Sequence, residues 1–338
     1  MQSRRFGRMG WDVSEIGFGA WAIGGMWGDQ DDSDSLAALH KYIELGGNFI
    51  DTAQAYGDGR SESLVAKAIK EHGDRIYVAT KLPPKNRIWN PPSGMPWNEA
   101  FPVDYLIEGV EFSLKTLQTD CIDVYQLHTW CETWNGIDEI YSAAEKLKKD
   151  GKIRAFGIST TENFPEQVIP ALQSGAVDSL QVIFNLFEQH PAYTIFPHCK
   201  ENDVFVIVRV PFDEAALTGK FTGKEIFAED DFRSRYFRGD NLKATVQRVE
   251  QIKEWAKKNT PEMSMPELAL RFTLSHDQTG SVIPGIRNIR HAELNTAPSD
   301  GKRLTEAQIK DLMQYAWRRN PWVEDLLTLE KIRTGGIQ

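Results

Sequence analysis

Cysteine is scarce: Cys121, Cys131 and Cys199 are the only three in 338 residues. They follow no metal-ligand spacing and cannot all pair, so no disulfide framework and no metal site is expected, and a reducing compartment suits them. Long apolar runs are missing too. No stretch approaches about 18 consecutive apolar residues, which excludes a membrane-spanning helix. The first residues, Met1-Gln-Ser-Arg-Arg-Phe6, lack the apolar core of a secretion signal, so a cytoplasmic location is expected. Basic residues are outnumbered, 39 Lys and Arg against 48 Asp and Glu, for a net charge of -9. That balance argues against bulk nucleic-acid or anionic-membrane binding, yet permits a local basic pocket around one phosphate. Neither a low-complexity tract nor a linker stands out, so residues 1–338 read as a single domain. Tryptophan, in contrast, is plentiful. There are ten, and this residue usually belongs to a core or a contact surface.

Eight short apolar, β-branched runs recur, at 14–18, 48–50, 75–79, 122–127, 154–158, 179–183, 204–208 and 281–284. Near-continuous apolar character fits strands buried on both faces of a parallel sheet. Helical segments are predicted at 36–45, 62–71, 104–117, 137–149, 164–174, 192–201, 243–258 and 266–275. Ser33 is the expected cap of the first of these. Ser264-Met-Pro-Glu267 reads as a capping box with proline in the first turn. Strands alternating with helices predict an α/β fold, a (β/α)₈ TIM barrel. Residues 4–13 suggest an N-terminal β-hairpin. Extended loops at 83–103, 129–135 and 210–240 all follow strands, and so fall on the C-terminal face, where barrel enzymes keep their active sites.

Four polar residues sit at or just after strand ends: Asp51, Tyr56, Lys81 and His128. They come from the second, third and fourth strand–helix units, which are neighbours in a barrel. A tyrosine is too weak an acid at neutral pH when its pKa stays near 10. A lysine ammonium ~4 Å away favours the phenolate by ~4 kcal/mol at an effective dielectric of ~20. On that arithmetic Lys81 is expected to bring Tyr56 down by roughly three pKa units, towards neutrality. Asp51 would neutralise and orient Lys81, and His128 would hold a substrate oxygen. The set suits protonation of a carbonyl oxygen while the carbon is attacked.

The chain resembles the aldo-keto reductases over nearly its whole length. Phe18-Gly-Ala-Trp21 is similar to the family's first-strand element. Asn48-Phe-Ile-Asp-Thr-Ala-Gln-Ala-Tyr-Gly57 with Ser61-Glu62 resembles its signature. Lys81, His128, Gly157-Ile-Ser159, Gln181 and Ile283-Pro-Gly285 follow in the family's order. The resemblance implies a barrel that binds NADP(H), with Tyr56 as acid/base, Lys81 lowering its pKa, Asp51 pairing with Lys81 and His128 orienting the carbonyl. It implies that Gly19, Ala20, Trp21 and Asp51 border the cofactor, and that Ser159 and Gln181 hold the carboxamide. Pro211, Phe212, Leu217, Gly219 and Lys220 match the loop that wraps the pyrophosphate. Gly285, Arg287, His291 and Asn295 match the adenosine-phosphate element, which begins at a helix N-terminus. Arg287 is expected to grip the 2′-phosphate, favouring NADP(H) over NAD(H). Four positions depart from the family pattern. Thr160 replaces a frequent Asn, Gly285-Ile286 stands where many members have Lys-Ser, and Arg209 occupies the place of a nicotinamide-stacking Tyr or Trp, where a planar guanidinium can stack instead.

Two other motifs mislead. Gly17-Phe-Gly-Ala-Trp-Ala22 fits a dinucleotide fingerprint, but no helix is predicted to follow it. Tyr77-x-x-x-Lys81 fits a short-chain dehydrogenase pair, but it lies on a predicted strand. A two-carboxylate glycosidase is disfavoured because Asp51 is the only clear strand-end carboxylate, with Asp213 and Glu214 as outside candidates. The expected function is NADP(H)-dependent reduction of an aldehyde or ketone. A sugar or alcohol dehydrogenase working oxidatively, and a non-catalytic NADPH-binding sensor, are the alternatives. Substrate and oligomeric state stay open, with no nucleic-acid or membrane partner expected. Of the tryptophans, Trp255 reads as helix packing, Trp11 as hairpin, and Trp317 and Trp322 as tail. Trp21, Trp27, Trp89, Trp97, Trp130 and Trp134 all follow the first, third or fourth strand. Trp27, Trp89 and Trp130 are the expected substrate wall, an aromatic pocket suited to a sugar or an aryl carbonyl.

Overall fold

The computed structural model describes residues 1–25, 27–72, 75–162, 164–229 and 231–318. An antiparallel hairpin, β1 (Ser3–Phe6) and β2 (Trp11–Ser14), precedes eight parallel strands. These are β3 (Phe18–Gly19), β4 (Phe49–Asp51), β5 (Tyr77–Leu82), β6 (Ile122–Leu127), β7 (Ile153–Ser159), β8 (Ser179–Ile183), β9 (Phe205–Arg209) and β10 (Thr279–Val282), hydrogen-bonded in chain order. Bridges Ile16–Val282 and Gly19–Gly285 join first strand to last. A side chain does not fit at that seam, because a Cβ on Gly19 would lie 2.6 Å from the Ile283 carbonyl oxygen.

Helices alternate with the strands, as a (β/α)₈ barrel requires. They are α1 (Asp32–Glu44), α2 (Arg60–Lys70), α3 (Trp97–Ala100), α4 (Val103–Leu117), α5 (Asp138–Lys149), α6 (Ile169–Gln173), α7 (Pro191–Thr194) and α8 (Phe196–Glu201). Then come α9 (Phe232–Tyr236), α10 (Asn241–Asn259), α11 (Met265–Leu274), α12 (Ile289–Thr296) and α13 (Glu306–Leu312). Short α3 and α9 lie inside two of the expected long loops. Among the described residues no helix is long and apolar enough to cross a membrane.

The differences from the sequence reading have local causes. The run 14–18 divides between hairpin and barrel, because Glu15 turns inward to ion pairs with Arg4 and Arg303. Asp31, not Ser33, caps α1, its side chain accepting from the Ser33 amide. Segment 192–201 breaks into α7 and α8 at Ile195, two residues before Pro197, which has no N–H to donate. Segment 164–174 starts as a 3₁₀ turn, Pro165–Val168, before α6. Ser264 does cap α11, accepting from the Glu267 amide at 3.3 Å. Both misleading motifs fall away: a 3₁₀ turn, Ala22–Gly24, follows β3, and Tyr77 to Lys81 is all strand.

The hairpin plugs the N-terminal end of the barrel. Phe6 stacks on Phe205 with centroids 4.1 Å apart and packs on Phe49. These rings join Val13, Ala79, Val124 and Ala155 in a separate apolar cluster. Trp11 stacks on Tyr77, Trp255 is buried in α10 and Trp317 packs edge-on against Phe187. Trp322 lies outside the described residues.

Candidate active site

The register of adjacent parallel strands delivers three of the polar residues to one rim. Asp51 ends β4 opposite Ala79, and β5 continues two residues to Lys81, opposite Gln126 of β6. His128 follows β6 directly, and Tyr56 sits in the turn before α2. The fully buried Lys81 ammonium donates to Asp51 Oδ1 at 2.5 Å, to the Thr52 carbonyl at 2.7 Å and to the Tyr56 hydroxyl at 3.1 Å. The His128 ring lies edge-on to Tyr56 with centroids 5.7 Å apart. Asp51 Oδ2 accepts from Gln181 Nε2 at 2.7 Å and from Gln126 Nε2 at 3.3 Å. The Asp51 carboxylate is therefore satisfied on both oxygens, as a buried charge must be.

Burial decides the protonation states. It raises Tyr56 above the usual tyrosine value; Lys81 opposes this, and Asp51 adds to it. The expected fall towards neutrality is thus corrected. Desolvation is the largest influence, and Asp51 works with it against the Lys81 field. Tyr56 keeps its proton at neutral pH. Burial alone would lower Lys81, but Asp51 and then Tyr56 hold it above the usual lysine value. Burial, then Lys81 and Arg209, push His128 well below the usual histidine value, so its imidazole is neutral. Among the described residues the buried His128 Nδ1 has no hydrogen-bond partner. The rim offers a neutral hydroxyl and a neutral imidazole beside a charged ammonium, a set able to protonate a polarised oxygen.

Around this rim lie the other residues expected to border a cofactor. Ala20 donates its amide to the Asp51 carbonyl, and Trp21 lies 6.5 Å from the Tyr56 ring. Ser159 is buried at the end of β7, in register with Gln181. Gln181 itself is spoken for, since its amide is the second support of Asp51. Arg209, at the end of β9, donates to the Thr160 carbonyl at 3.3 Å and pairs with Glu162 at 3.5 Å, while among the described residues its buried Nε has no partner. Pro211 is buried, Phe212 half-buried and Leu217 fully buried, so Leu217 anchors its loop in the core. Gly219 turns with φ +72 and Lys220 is exposed. At the far end Gly285 faces open space, and Asn295 donates to its carbonyl at 3.3 Å. Asn288 caps α12 by accepting from the His291 amide. Burial, then Lys220, Arg287 and Arg290, lower His291 below its usual value. Three cations thus converge around one imidazole in an acidic chain, which fits a phosphorylated ligand. Arg287 already holds the opposite bank, donating to Gln30 Oε1 and the Asp29 carbonyl, each at 2.6 Å.

The proposed aromatic wall separates into three fates. Trp89 is 41% exposed and meets the His128 ring edge-on at 4.9 Å. Trp27 lies under the Arg233 guanidinium at 4.4 Å and edge-on to Trp21. Trp130 is a correction. It is only 1% exposed, donates to Asn135 and packs edge-on against buried Trp134, so it builds the core beneath the rim. Gln126, Glu162 and Arg233 were not foreseen. Gln126 had a legible signal, since it precedes His128 by two and so shares its strand face. Glu162 and Arg233 had none: Glu162 comes from the loop after β7, and Arg233 from α9, a short helix inside an expected loop.

Comparison with known proteins agrees with this geometry. A sequence model of the aldo/keto reductase family matches residues 15–316. Aldo-keto reductase YhdN of Bacillus subtilis (strain 168) is 35% identical over 285 residues, 81% of each chain. The glycerol dehydrogenase of Gluconobacter oxydans superposes with a TM-score of 0.76 at 29% identity, covering 93% of this chain and 94% of the other. An aldo/keto reductase from Klebsiella pneumoniae, solved with NADP and acetate, gives a TM-score of 0.67 at 25% identity, covering 94% of this chain and 97% of the other. A barrel seam, a buried Asp–Lys–Tyr chain and a family match across nearly all the described residues converge: the chain belongs to the aldo/keto reductase family of oxidoreductases.

Proposed function

We propose that this protein reduces an aldehyde or ketone, such as an aryl or alkyl aldehyde or a sugar, with NADP(H) as cofactor and Tyr56 as general acid. The observation that carries this reading is the hydrogen-bonded chain Asp51–Lys81–Tyr56, with neutral His128 beside it. The cofactor, when bound, supplies a hydride for the carbonyl carbon. Tyr56 gives its proton to the carbonyl oxygen, and the Lys81 ammonium stabilises the phenolate left behind. Asp51 keeps Lys81 charged and aimed. His128 donates to the same oxygen and fixes its position. Trp89 forms an apolar flank against the His128 ring and suits an aryl or sugar face.

The convergence of Lys220, Arg287 and Arg290 near His291 supports a 2′-phosphate, hence NADP(H) over NAD(H). The Klebsiella pneumoniae relative with NADP supports the same reading. On this reading Ser159 and Gln181 hold the carboxamide, Gln181 through the carbonyl oxygen that its bond to Asp51 leaves free, and Arg209 stacks on the nicotinamide. Direction has a second reading, oxidation of a sugar or alcohol, which the glycerol dehydrogenase relative favours. One experiment addresses both. NADPH is titrated by its fluorescence, then its oxidation is followed with a panel of aryl aldehydes and sugars, in parallel with NADP⁺ reduction by polyols. Binding with turnover is expected; binding without turnover on any substrate favours a sensor, and no binding removes the reading.

A further inference from the structure

Trp89 stands in the long loop between β5 and α3, and side chains from the segment after β6 fasten that loop at Trp89, Pro92 and Met95. Thr129 Oγ1 donates to the Trp89 carbonyl at 2.6 Å, and Cys131 Sγ to the Pro92 carbonyl at 3.6 Å. Thr133 Oγ1 and Trp134 Nε1 donate to the Met95 carbonyl at 3.1 and 2.8 Å. The loop has turned back just before Trp89, where Arg87 has φ 59 and donates its amide to the Pro84 carbonyl at 2.9 Å. The fastening segment is itself fixed. The His128 amide donates to the Leu82 carbonyl at 3.0 Å, and Thr129, Trp130 and Trp134 are buried.

The bond from Thr129 differs from the others in what it holds. Met95 packs in the core, so that end of the loop is docked by apolar contacts as well as by hydrogen bonds. Trp89 is 41% exposed, and its ring meets His128 edge-on with centroids 4.9 Å apart. The rotamers open to a side chain depend on its backbone, and Thr129 fixes the backbone of Trp89. Thr129 also follows His128 directly in the chain. One residue therefore links the Trp89 ring to the imidazole that it faces.

We propose that Thr129 is a specificity-determining positioning residue. Its hydroxyl holds the Trp89 ring beside His128, so the wall is in place before a substrate enters and favours flat aryl carbonyls over small aliphatic ones. A group already held in its bound position costs no ordering when the ligand arrives. Thr129 acts through Trp89 and takes no part in moving the proton. The bonds at Pro92 and Met95 keep the loop docked without it, so loss of the hydroxyl costs the aim of one ring rather than the loop. The inference rests on the carbonyl-reduction reading above, with Trp89 as its apolar flank, and adds the group that sets that flank in place.

The test compares KM and kcat of wild type, Thr129→Ser, Thr129→Val, Trp89→Ala and the double variant Thr129→Val with Trp89→Ala, using NADPH with benzaldehyde or acetaldehyde. Valine keeps the branched shape of threonine and lacks its hydroxyl. Thr129→Val is expected to raise KM for benzaldehyde by about 2–5-fold, the worth of one hydrogen bond, with kcat kept. KM for acetaldehyde, which has no ring to lay against Trp89, is expected to stay level. Thr129→Ser keeps the hydroxyl and is expected to match wild type. In the Trp89→Ala background Thr129→Val is expected to add nothing, because the ring that it places is gone. If Thr129→Val does not fold, Thr129→Ala carries the same comparisons. An unchanged KM for benzaldehyde, an equal rise for both aldehydes, or an equal rise with and without Trp89 overturns the inference while leaving the reductase reading intact. No turnover of either aldehyde by wild type overturns the aldehyde-reduction reading and the inference together.

Discussion

The two ends of the barrel both bury charge, but they finish it differently. At the N-terminal end, Glu15 accepts from Arg4, Arg303 and Ser299. Arg4 in turn caps the end of α11, donating to the Leu274 and Thr279 carbonyls at 2.6 Å each. The Glu15 carboxylate there is satisfied on both oxygens, and rings from the hairpin seal the end. At the C-terminal end, Asp51 and Lys81 satisfy each other, yet the Tyr56 hydroxyl, His128 Nδ1 and Arg209 Nε keep bonding capacity in hand. Buried polar groups left incomplete are costly, so they persist where a ligand completes them. The contrast teaches that burial of charge does not by itself mark a site, since Glu15 and Asp51 are both buried and both satisfied.

The sharpest way to break this comparison is Tyr56→Phe. It removes one hydroxyl from the incomplete end, and turnover is expected to fall by about 10²–10⁴-fold or more, with NADPH affinity kept. Steady-state rates and a fluorescence titration check it; unchanged turnover would mean that Tyr56 is not the acid. Next in size is a matched pair. Lys81→Met leaves Asp51 buried and unpaired, which is expected to cost about 3–5 kcal/mol of stability as well as nearly all activity. Glu15→Gln, at the finished end, is expected to cost about 1–3 kcal/mol with kcat unaltered, because Arg4 and Arg303 reach solvent. Denaturant unfolding beside kinetics separates the two.

Two tryptophans sharpen it further. Trp130→Ala is expected to destabilise by about 3–5 kcal/mol, as truncation of a buried large ring does. Trp89→Ala is expected to leave stability nearly unchanged and to raise KM for an aryl aldehyde by about 2–10-fold, the worth of one aromatic contact. Equal effects on KM from both would return Trp130 to the substrate wall. The smallest effect concerns pH. With Tyr56 held above and His128 well below their usual values, neither titrates near neutrality. Reductive kcat is therefore expected to be level between about pH 6 and 8, and a break of a full order within that window would contradict both assignments.

Much of this was legible in the sequence. The β-branched runs located all eight barrel strands, and two, β6 and β8, fall on the residues read from them. The hairpin and the polar strand ends were legible for the same reason: strand and turn preferences are local, and in a parallel barrel every strand end points to one face. Local pattern also set its limits. It placed Trp130 and Trp89 alike, two loop tryptophans near one rim, and only packing separated the sealed ring from the open one. It assigned Lys81 a full charge acting on Tyr56, but did not count the desolvation of a hydroxyl in a closed rim. It left Glu214 a spare acid in a loop, because Glu162 and Arg233, whose charges act on it, lie far from it in sequence. Residue order by itself determined the barrel and which four side chains share its mouth. Tertiary structure decided which charges are cancelled, which rings are covered and which protons stay, since burial and long-range neighbours set those energies.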